Sequence, residues 1–348
     1  RDGRMDLIKP KKLHKGNTVA AVSPSRGAAG APDIHWKYRL GIRRLKEKFG
    51  LHVTAAPNAL KPEDELRDHP ELRADDINWA FQNPEIDAVF CNIGGNDSER
   101  ILPFVDLEAI RDNPKIFLGY SDNVCMHMAC CAAGLSSFYG PNILTTIAEN
   151  GGLHEYTKHW MEKELFSHAP VGEIPPADTV SFDGESYAAC DAGKPKNYVR
   201  NSGVQCLQGN GKARGHLIGG NAQLKKLQGT KAALTPAMLQ NAIFFYEDIY
   251  WDGSWEKITG FFDWMGAQGY LALLSGLILG KFCPNEHSAV LHQEIMHIVR
   301  DKYGRKDLPV LAGLNLGHSS PMFILPYGAQ AETDCTTGRF SILESAVL

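Results

Sequence analysis

The run Lys115-Ile-Phe-Leu-Gly-Tyr-Ser-Asp-Asn-Val-Cys-Met-His-Met-Ala-Cys-Cys-Ala-Ala133 holds an apolar strand, Lys115–Tyr120, that turns at once into a helix, Asp122–Ala133. Its apolar residues are continuous instead of alternating with polar ones, as in a parallel strand covered on both faces. The same unit recurs around it. Thr18–Ser23, His52–Ala56, Ile86–Ile93 and Ser136–Tyr139 read as strands, with helices over Asp33–Phe49, Pro70–Phe81 and Tyr156–Phe166. Repeated βα units predict an α/β fold with an N-terminal Rossmann-like parallel sheet, and a ligand crevice beyond the C-terminal ends of its strands.

Periodicity fails from Ser167 to about Asn210, where Pro170, Pro175, Pro176, Gly184, Gly193, Pro195 and Gly203 punctuate polar residues. Strand-like runs resume at Gly215–Gly219, Ala242–Tyr246, Gly276–Phe282 and Pro309–Leu314. Helices are expected near Asn221–Leu227, Trp255–Met265 and Ser288–Arg300, and short β-rich pieces at Met322–Leu325 and Arg339–Leu343. The 348 residues therefore divide into an N-terminal α/β domain (5–168), a connection (169–210) and a smaller C-terminal α/β domain with a β-rich end (211–348).

Composition narrows the function. With 36 Lys+Arg against 40 Asp+Glu the net charge is −4, which leaves no surplus for phosphate backbones or anionic lipid, so neither nucleic acid nor membrane is an expected partner. The longest apolar stretch, Tyr270–Leu279, falls far short of the ~20 residues that cross a bilayer. The N-terminus shows no apolar core of signal-peptide length, and Arg1 to Arg4 before Met5 read as an expression remnant. Eight cysteines without C-x-x-C spacing read as free thiols in the reducing cytoplasm.

Four strand ends carry chemistry. Gly119-Tyr120-Ser121-Asp122 puts a serine at a helix N-terminus, whose N–H groups favour developing negative charge. An N-cap is the plain alternative for that serine, and Asn123 stands where the second glycine of a G-x-S-x-G elbow would be. Gly94-Gly95-Asn96 follows an apolar strand and could present backbone N–H groups to an oxyanion, or merely turn the chain. In the second half, Glu247-Asp248 ends one apolar strand, and Gly317-His318 follows another, the positions of an orienting acid and a general base.

Other motifs fail on spacing. Gly209-Asn-Gly-Lys212 lacks the first glycine and the Ser/Thr of a P-loop. His287, His292 and His297 lie five apart, which turns successive rings by ~140° on a helix and prevents a shared metal face. Cys125, His127, Cys130 and Cys131 sit among Met126, Met128, Ala129 and Ala132 and read as core.

Gly94-Gly95 with Ser98-Glu-Arg-Ile-Leu-Pro, Gly119-Tyr-Ser-Asp122, Phe138-Tyr-Gly-Pro141, Gly215-His-Leu-Ile-Gly-Gly-Asn221, Glu247 and Gly317-His318 occur in the order and spacing of the LD-carboxypeptidase (S66) serine peptidases. The resemblance spans most of the chain and is closest to the branch of microcin C immunity (MccF-like) proteins. It implies Ser121 as nucleophile, His318 as general base, Glu247 as the acid orienting it, and the N–H groups of Gly95 and Asp122 as oxyanion donors. No metal or organic cofactor is implied, and a homodimer is. The implied substrate is an aminoacyl- or peptidyl-nucleotide amide, whose hydrolysis would detoxify it; a murein L,D-carboxypeptidase acting on a short peptide is the alternative, and a non-catalytic binding protein on the same fold the third. Against the murein-cleaving members, the chain lacks an Arg before the glycine pair and carries Asn96 where they have Tyr. Substrate contacts are expected from Gly94 and Asn96, and from Phe182, Tyr187, Tyr198 and Arg200 in the segment where MccF-like proteins hold a nucleobase, with Arg200 meeting a phosphate or carboxylate.

Overall fold

Val19-Ala-Ala-Val22 and Ala88-Val-Phe-Cys91 carry no charged side chain, and both runs are buried along their whole length. That is possible only in strands with cover on both faces. In the computed structural model, which describes residues 5–251 and 253–348, strands β1 (Thr18–Val22), β2 (His52–Ala55), β3 (Ala88–Cys91), β4 (Ile116–Gly119) and β5 (Phe138–Tyr139) lie parallel in the order β2-β1-β3-β4-β5. Arg1 to Arg4, read above as an expression remnant, lie outside the described residues. Helices His35–Phe49, Pro70–Gln82, Val124–Ala133 and Glu155–Leu165 belong to this half.

The connection is more ordered than its composition suggests. It supplies β6 (Gly172–Glu173), a ribbon of β7 (Thr179–Val180) against β8 (Val199–Arg200), and β9 (Gln205–Gln208). Strands of two to four residues show no period of their own and are held by their partners. The second sheet adds β10 (Lys212–Gly220), β11 (Ile243–Tyr246), β12 (Gly276–Gly280) and β13 (Val310–Leu314), which run parallel. β14 (Leu325–Pro326) crosses back to pair with β5 in the first sheet, while β15 (Gln330–Asp334) and β16 (Arg339–Ile342) extend the second. Its eight strands run β6-β16-β15-β10-β11-β12-β13-β9. The segment Lys212–Arg214, glycine-flanked and turn-like in sequence, is strand because Gln330–Asp334 pairs with it.

Helix boundaries differ at three places. Ser121–Asn123 is a 3-10 turn ahead of the α-helix, Ala222–Leu227 is 3-10 throughout, and the last helix passes from α (Ser288–Met296) into a π turn (His297–Lys302). The short helices Glu63–Asp68 and Leu107–Asp112 had no periodic signal. Both sheets join one continuous apolar core, and the halves meet closely: a Cβ on Gly220 would stand 2.3 Å from Val124 Cγ2. No helix of the described residues is long and apolar enough to cross a membrane.

A buried ion cluster ties the connection to the first half. Lys37, with no exposed surface, pairs with Glu185 and donates to Ala148 O at 2.8 Å. Lys196 lies 3.1 Å from Glu185 and 3.6 Å from Glu149, whose Oε2 also accepts from Tyr198 at 2.6 Å. Removing one member leaves another charge without compensation. Lys37→Met is expected to cost about 3 kcal/mol, the lower end for a broken buried pair because Lys196 still faces Glu185. Urea unfolding checks this; an unchanged midpoint would show that the cluster holds nothing in place.

Candidate active site

Ser121, Asn221, Glu247 and His318 each follow the C-terminal end of a strand. Tyr120 leaves β4 extended, and Ser121 then adopts φ 66°, a left-handed conformation that costs a non-glycine residue energy and persists only where the surroundings impose it. The turn is thus a strained elbow, even though Asn123 occupies the place of a second glycine. Asn123 Nδ2 itself braces the turn by donating to Ile93 O and Tyr120 O, and Asn221 Nδ2 donates to Ser121 O at 2.8 Å. Ser121 does not cap the helix; its Oγ stands 3.1 Å from His318 Nε2.

His318 Nδ1 stands 2.7 Å from Glu247 Oε2. A carboxylate only accepts, so Nδ1 carries the proton and Nε2 is left to accept from Ser121. Glu247 is fully buried and, among the described residues, has no Lys or Arg beside it; Tyr139 donates its hydroxyl to the other oxygen, Oε1. Burial, and then the charge of Glu247, push the Tyr139 pKa well up, so that hydroxyl stays a donor. Tyr139 also accepts from Ser121 N and Asn221 Nδ2, each at 3.1 Å. Gly317, at φ 93°, packs on the acid: a Cβ there would lie 2.4 Å from Glu247 Oε2. The neighbouring Asp248 faces elsewhere, accepting from Tyr246 and Ala222 N and pairing with Lys257.

The glycine pair lies over the serine. A Cβ on Gly94 would sit 2.9 Å from both Cβ and Oγ of Ser121. Arg26 N donates to Gly94 O at 3.1 Å, and a trans peptide then points the Gly95 N–H the opposite way. Among the described residues, neither that N–H nor the Asp122 N–H has an acceptor. The Asp122 carboxylate is turned inward to Ser25 Oγ and Ser98 N.

A cavity of about 280 Å³ opens beside His318, lined by Tyr120, Tyr187, Lys196, Trp251, Ser320 and Met322 among others. The Tyr120 ring meets the imidazole edge-on at 5.1 Å. Of the aromatics expected in the connection, only Tyr187 lines this cavity. Tyr198 is committed to Glu149 and has the His154 ring tilted against it at 5.1 Å, Phe182 lies off the cavity wall, and Arg200 is exposed on the β7–β8 ribbon. Asn96 faces a different cavity, of about 390 Å³, with Ser25, Arg26 and Gly95. Sequence reasoning gave no role to Tyr139 or Asn221, and did not single out Trp251 or Lys196. Phe138-Tyr-Gly-Pro141 and Gly220-Asn221 did stand among the quoted motifs, but nothing local to them shows that both reach Ser121.

Glu99, Asp122 and Cys125 bring ligand atoms within 4.8 Å of one another behind the turn, the one such grouping among the described residues. Asp122 Oδ2 is already engaged, and Lys226 lies 3.9 Å from Glu99. His127 is a core residue, bonded to Ser137 Oγ and Gly119 O, and burial holds its pKa down at about 3.

An imidazole poised between a serine hydroxyl and a buried carboxylate is the arrangement of hydrolases that attack through serine. Residues 19–140 match the LD-carboxypeptidase N-terminal domain, and residues 214–333 match the LD-carboxypeptidase C-terminal domain. The chain belongs to the LD-carboxypeptidase (S66) family of peptidases. It is 30% identical over 275 residues to the microcin C7 self-immunity protein MccF of Escherichia coli, covering 78% of each chain. Against a probable murein peptide carboxypeptidase of Bacillus subtilis it is 28% identical over 354 residues, 97% of this chain and 95% of the relative. The fold superposes on MccF in complex with aspartyl sulfamoyl adenosine at a TM-score of 0.86, with 27% identity over 98% of this chain and all of that one. An MccF-like protein from Streptococcus pneumoniae in complex with AMP gives 0.85 with 26% identity, over 94% of this chain and 98% of that one.

Gly94→Ala tests the geometry while keeping every catalytic side chain, because the added methyl presses on Ser121. It is expected to lower kcat by about 10²–10³-fold, the scale of a lost oxyanion contact, with the thermal midpoint little changed. Full activity in the alanine variant would mean that Ser121 is not held against Gly94 during the reaction.

Proposed function

We propose that this chain hydrolyses the amide of an aminoacyl- or peptidyl-nucleotide, a detoxifying reaction, with Ser121, His318 and Glu247 as catalytic triad. The observation that carries the reading is the unbroken array from Ser121 Oγ through His318 to buried Glu247, opening on a cavity with three aromatic walls. Solved relatives holding an aminoacyl-sulfamoyl nucleoside and AMP support the substrate class.

His318 Nε2 takes the hydroxyl proton as Ser121 Oγ bonds to the carbonyl carbon, and the N–H groups of Gly95 and Asp122 receive the oxyanion. The same proton passes to the leaving nitrogen as the C–N bond breaks, giving an acyl-enzyme. Water then attacks; His318 takes its proton and returns one to Ser121 as the acid departs. Glu247 holds the ring and stabilises the imidazolium, and Tyr139 in turn fixes Glu247. No step calls for a metal or an organic cofactor. The domain division at 168 and 210 belongs to the same proposal, with the acid and base brought from the C-terminal domain to the nucleophile of the N-terminal one, as does a cytoplasmic homodimer. The eight free thiols favour a reducing compartment.

The triad is tested by substitution. Ser121→Ala and His318→Ala are expected to lose roughly 10⁴-fold or more in kcat with aspartyl sulfamoyl adenosine, and Glu247→Ala less, while Asp248→Ala retains turnover. An Asp248 variant that dies beside an active Glu247 variant would place the orienting acid one residue on.

Substrate class is tested at Tyr187, which we assign to stacking on the base. Tyr187→Ala should weaken binding of the nucleotide substrate by about 1–3 kcal/mol with kcat much less affected. Unchanged kcat/KM on that substrate, together with ready cleavage of a murein tetrapeptide, would replace the nucleotide reading with L,D-carboxypeptidase activity, toward which the full-length similarity to the murein peptide carboxypeptidase points.

A further inference from the structure

Away from Ser121, a cavity of about 260 Å³ lies where β12 and β13 end and helix Ser288–Met296 begins. Lys281, the residue after β12, lines it. Only 6% of Lys281 is exposed, yet no described residue gives its ammonium a hydrogen bond or an ion pair. The contrast is with Lys37, the other buried lysine, which has Glu185 and a carbonyl. The side chain is packed almost wholly inside the protein, so its ammonium meets solvent or a counter-charge only through this cavity, where a bound anion would offset the cost of withdrawing the charge from water.

The backbone makes room for this side chain. Pairing of β12 with β13 shifts register so that Leu279 faces Ala312 and Gly280 faces Leu314, leaving Gly313 out of the ladder at φ 81°. A bulge of this kind re-aims what lies beside it. A Cβ on Gly313 would stand 3.5 Å from Lys281 Nζ, and Gly313 lines the same cavity, which locates the ammonium at its wall.

The remaining lining suits an anion. Ser202, Gln205 and Asn285 offer neutral donors, Ser288 gives its own hydroxyl proton to Asn285 Oδ1 at 2.8 Å, and the first turn of the helix faces in through Ser288 and Ala289. The residue before that turn, His287, makes no side-chain cap; Ser288 N is taken up by Asn285 O at 3.2 Å, and the N–H of Ala289 is left at the positive end of the helix among the described residues. Burial lowers the pKa of both Lys281 and His292, and Lys281 lowers that of His292 further, so the imidazole is neutral and adds a polar group without a second charge. Glu286, on the rim, is exposed. We propose that this cavity binds a small oxyanion, the carboxylate or phosphate of a ligand, with Lys281 as its counter-ion. The site is separate from the hydrolytic one but adjoins its support: a Cβ on Gly280, immediately before Lys281, would lie 3.0 Å from Glu247 Cβ.

Isothermal titration of the whole protein with inorganic phosphate, and separately with acetate, at constant ionic strength set by chloride, tests the site. One-site binding of at least one anion is expected, and the tighter of the two identifies the group the site selects. Lys281→Met should weaken it about 30-fold or more, as loss of one partner of a buried charged contact does. Ser288→Asp provides the second variant, since an internal carboxylate in the cavity should abolish the binding while leaving the lysine in place. Neither anion binding to the unaltered protein, or binding that survives either substitution unchanged, overturns the proposal.

Discussion

A single buried carboxylate organises this protein. Glu247 has no exposed surface and, among the described residues, no Lys or Arg partner, so its two oxygens must be satisfied by donors, and the donors come from opposite directions. His318 reaches Oε2 from the loop after β13, in the second sheet, while Tyr139 reaches Oε1 from β5, in the first. The carboxylate therefore sets the two sheets in register with one another as well as orienting an imidazole. Glycines make the space around it: Gly280 and Gly317 each approach so closely that a methyl group would strike the side chain.

From that constraint the rest of the site follows. Tyr139 holds Ser121 N as well as Glu247, so the strained serine turn is referenced to the same hydroxyl that fixes the acid. Asn221, at the end of β10, donates to Ser121 O and to Tyr139 and closes the ring of contacts. Misplacing any of these groups moves Ser121 Oγ relative to His318 Nε2, and the buried Tyr139 hydroxyl stands at the centre of the contacts that prevent it. The conformational cost of φ 66° at Ser121 is met by tertiary contacts from both halves, not by a local glycine.

What could be read from the sequence depended on how local the cause was. Ser121, Gly94-Gly95, Glu247 and His318 each stand directly after an apolar run, and the α/β rule points to strand ends, so these residues announce themselves. The long strands and amphipathic helices did so too, because period and length are properties of the segment. Tyr139 and Asn221 are different: one lies 108 residues from Glu247 and the other 100 from Ser121, and only the packed sheets bring them there. The connection misled for the same reason. Its aromatics were the natural candidates for stacking, but Tyr198 is drawn into the Lys196–Glu149–Glu185 cluster, whose existence depends on Lys37 in a distant helix. Trp251, at the cavity wall, sits in a loop with no motif to mark it.

The central claim is that Ser121 is a nucleophile made reactive by His318 on a scaffold fixed by Glu247 and Tyr139. Intact-mass spectrometry after treatment with a fluorophosphonate, followed by peptide mapping, tests it most directly. One adduct per chain is expected, located on Ser121, forming far more slowly in Tyr139→Phe although that variant keeps both hydrogen-bonding atoms of His318 and the serine itself. No adduct on Ser121, or an adduct that forms there at the same rate without the Tyr139 hydroxyl, would contradict the account.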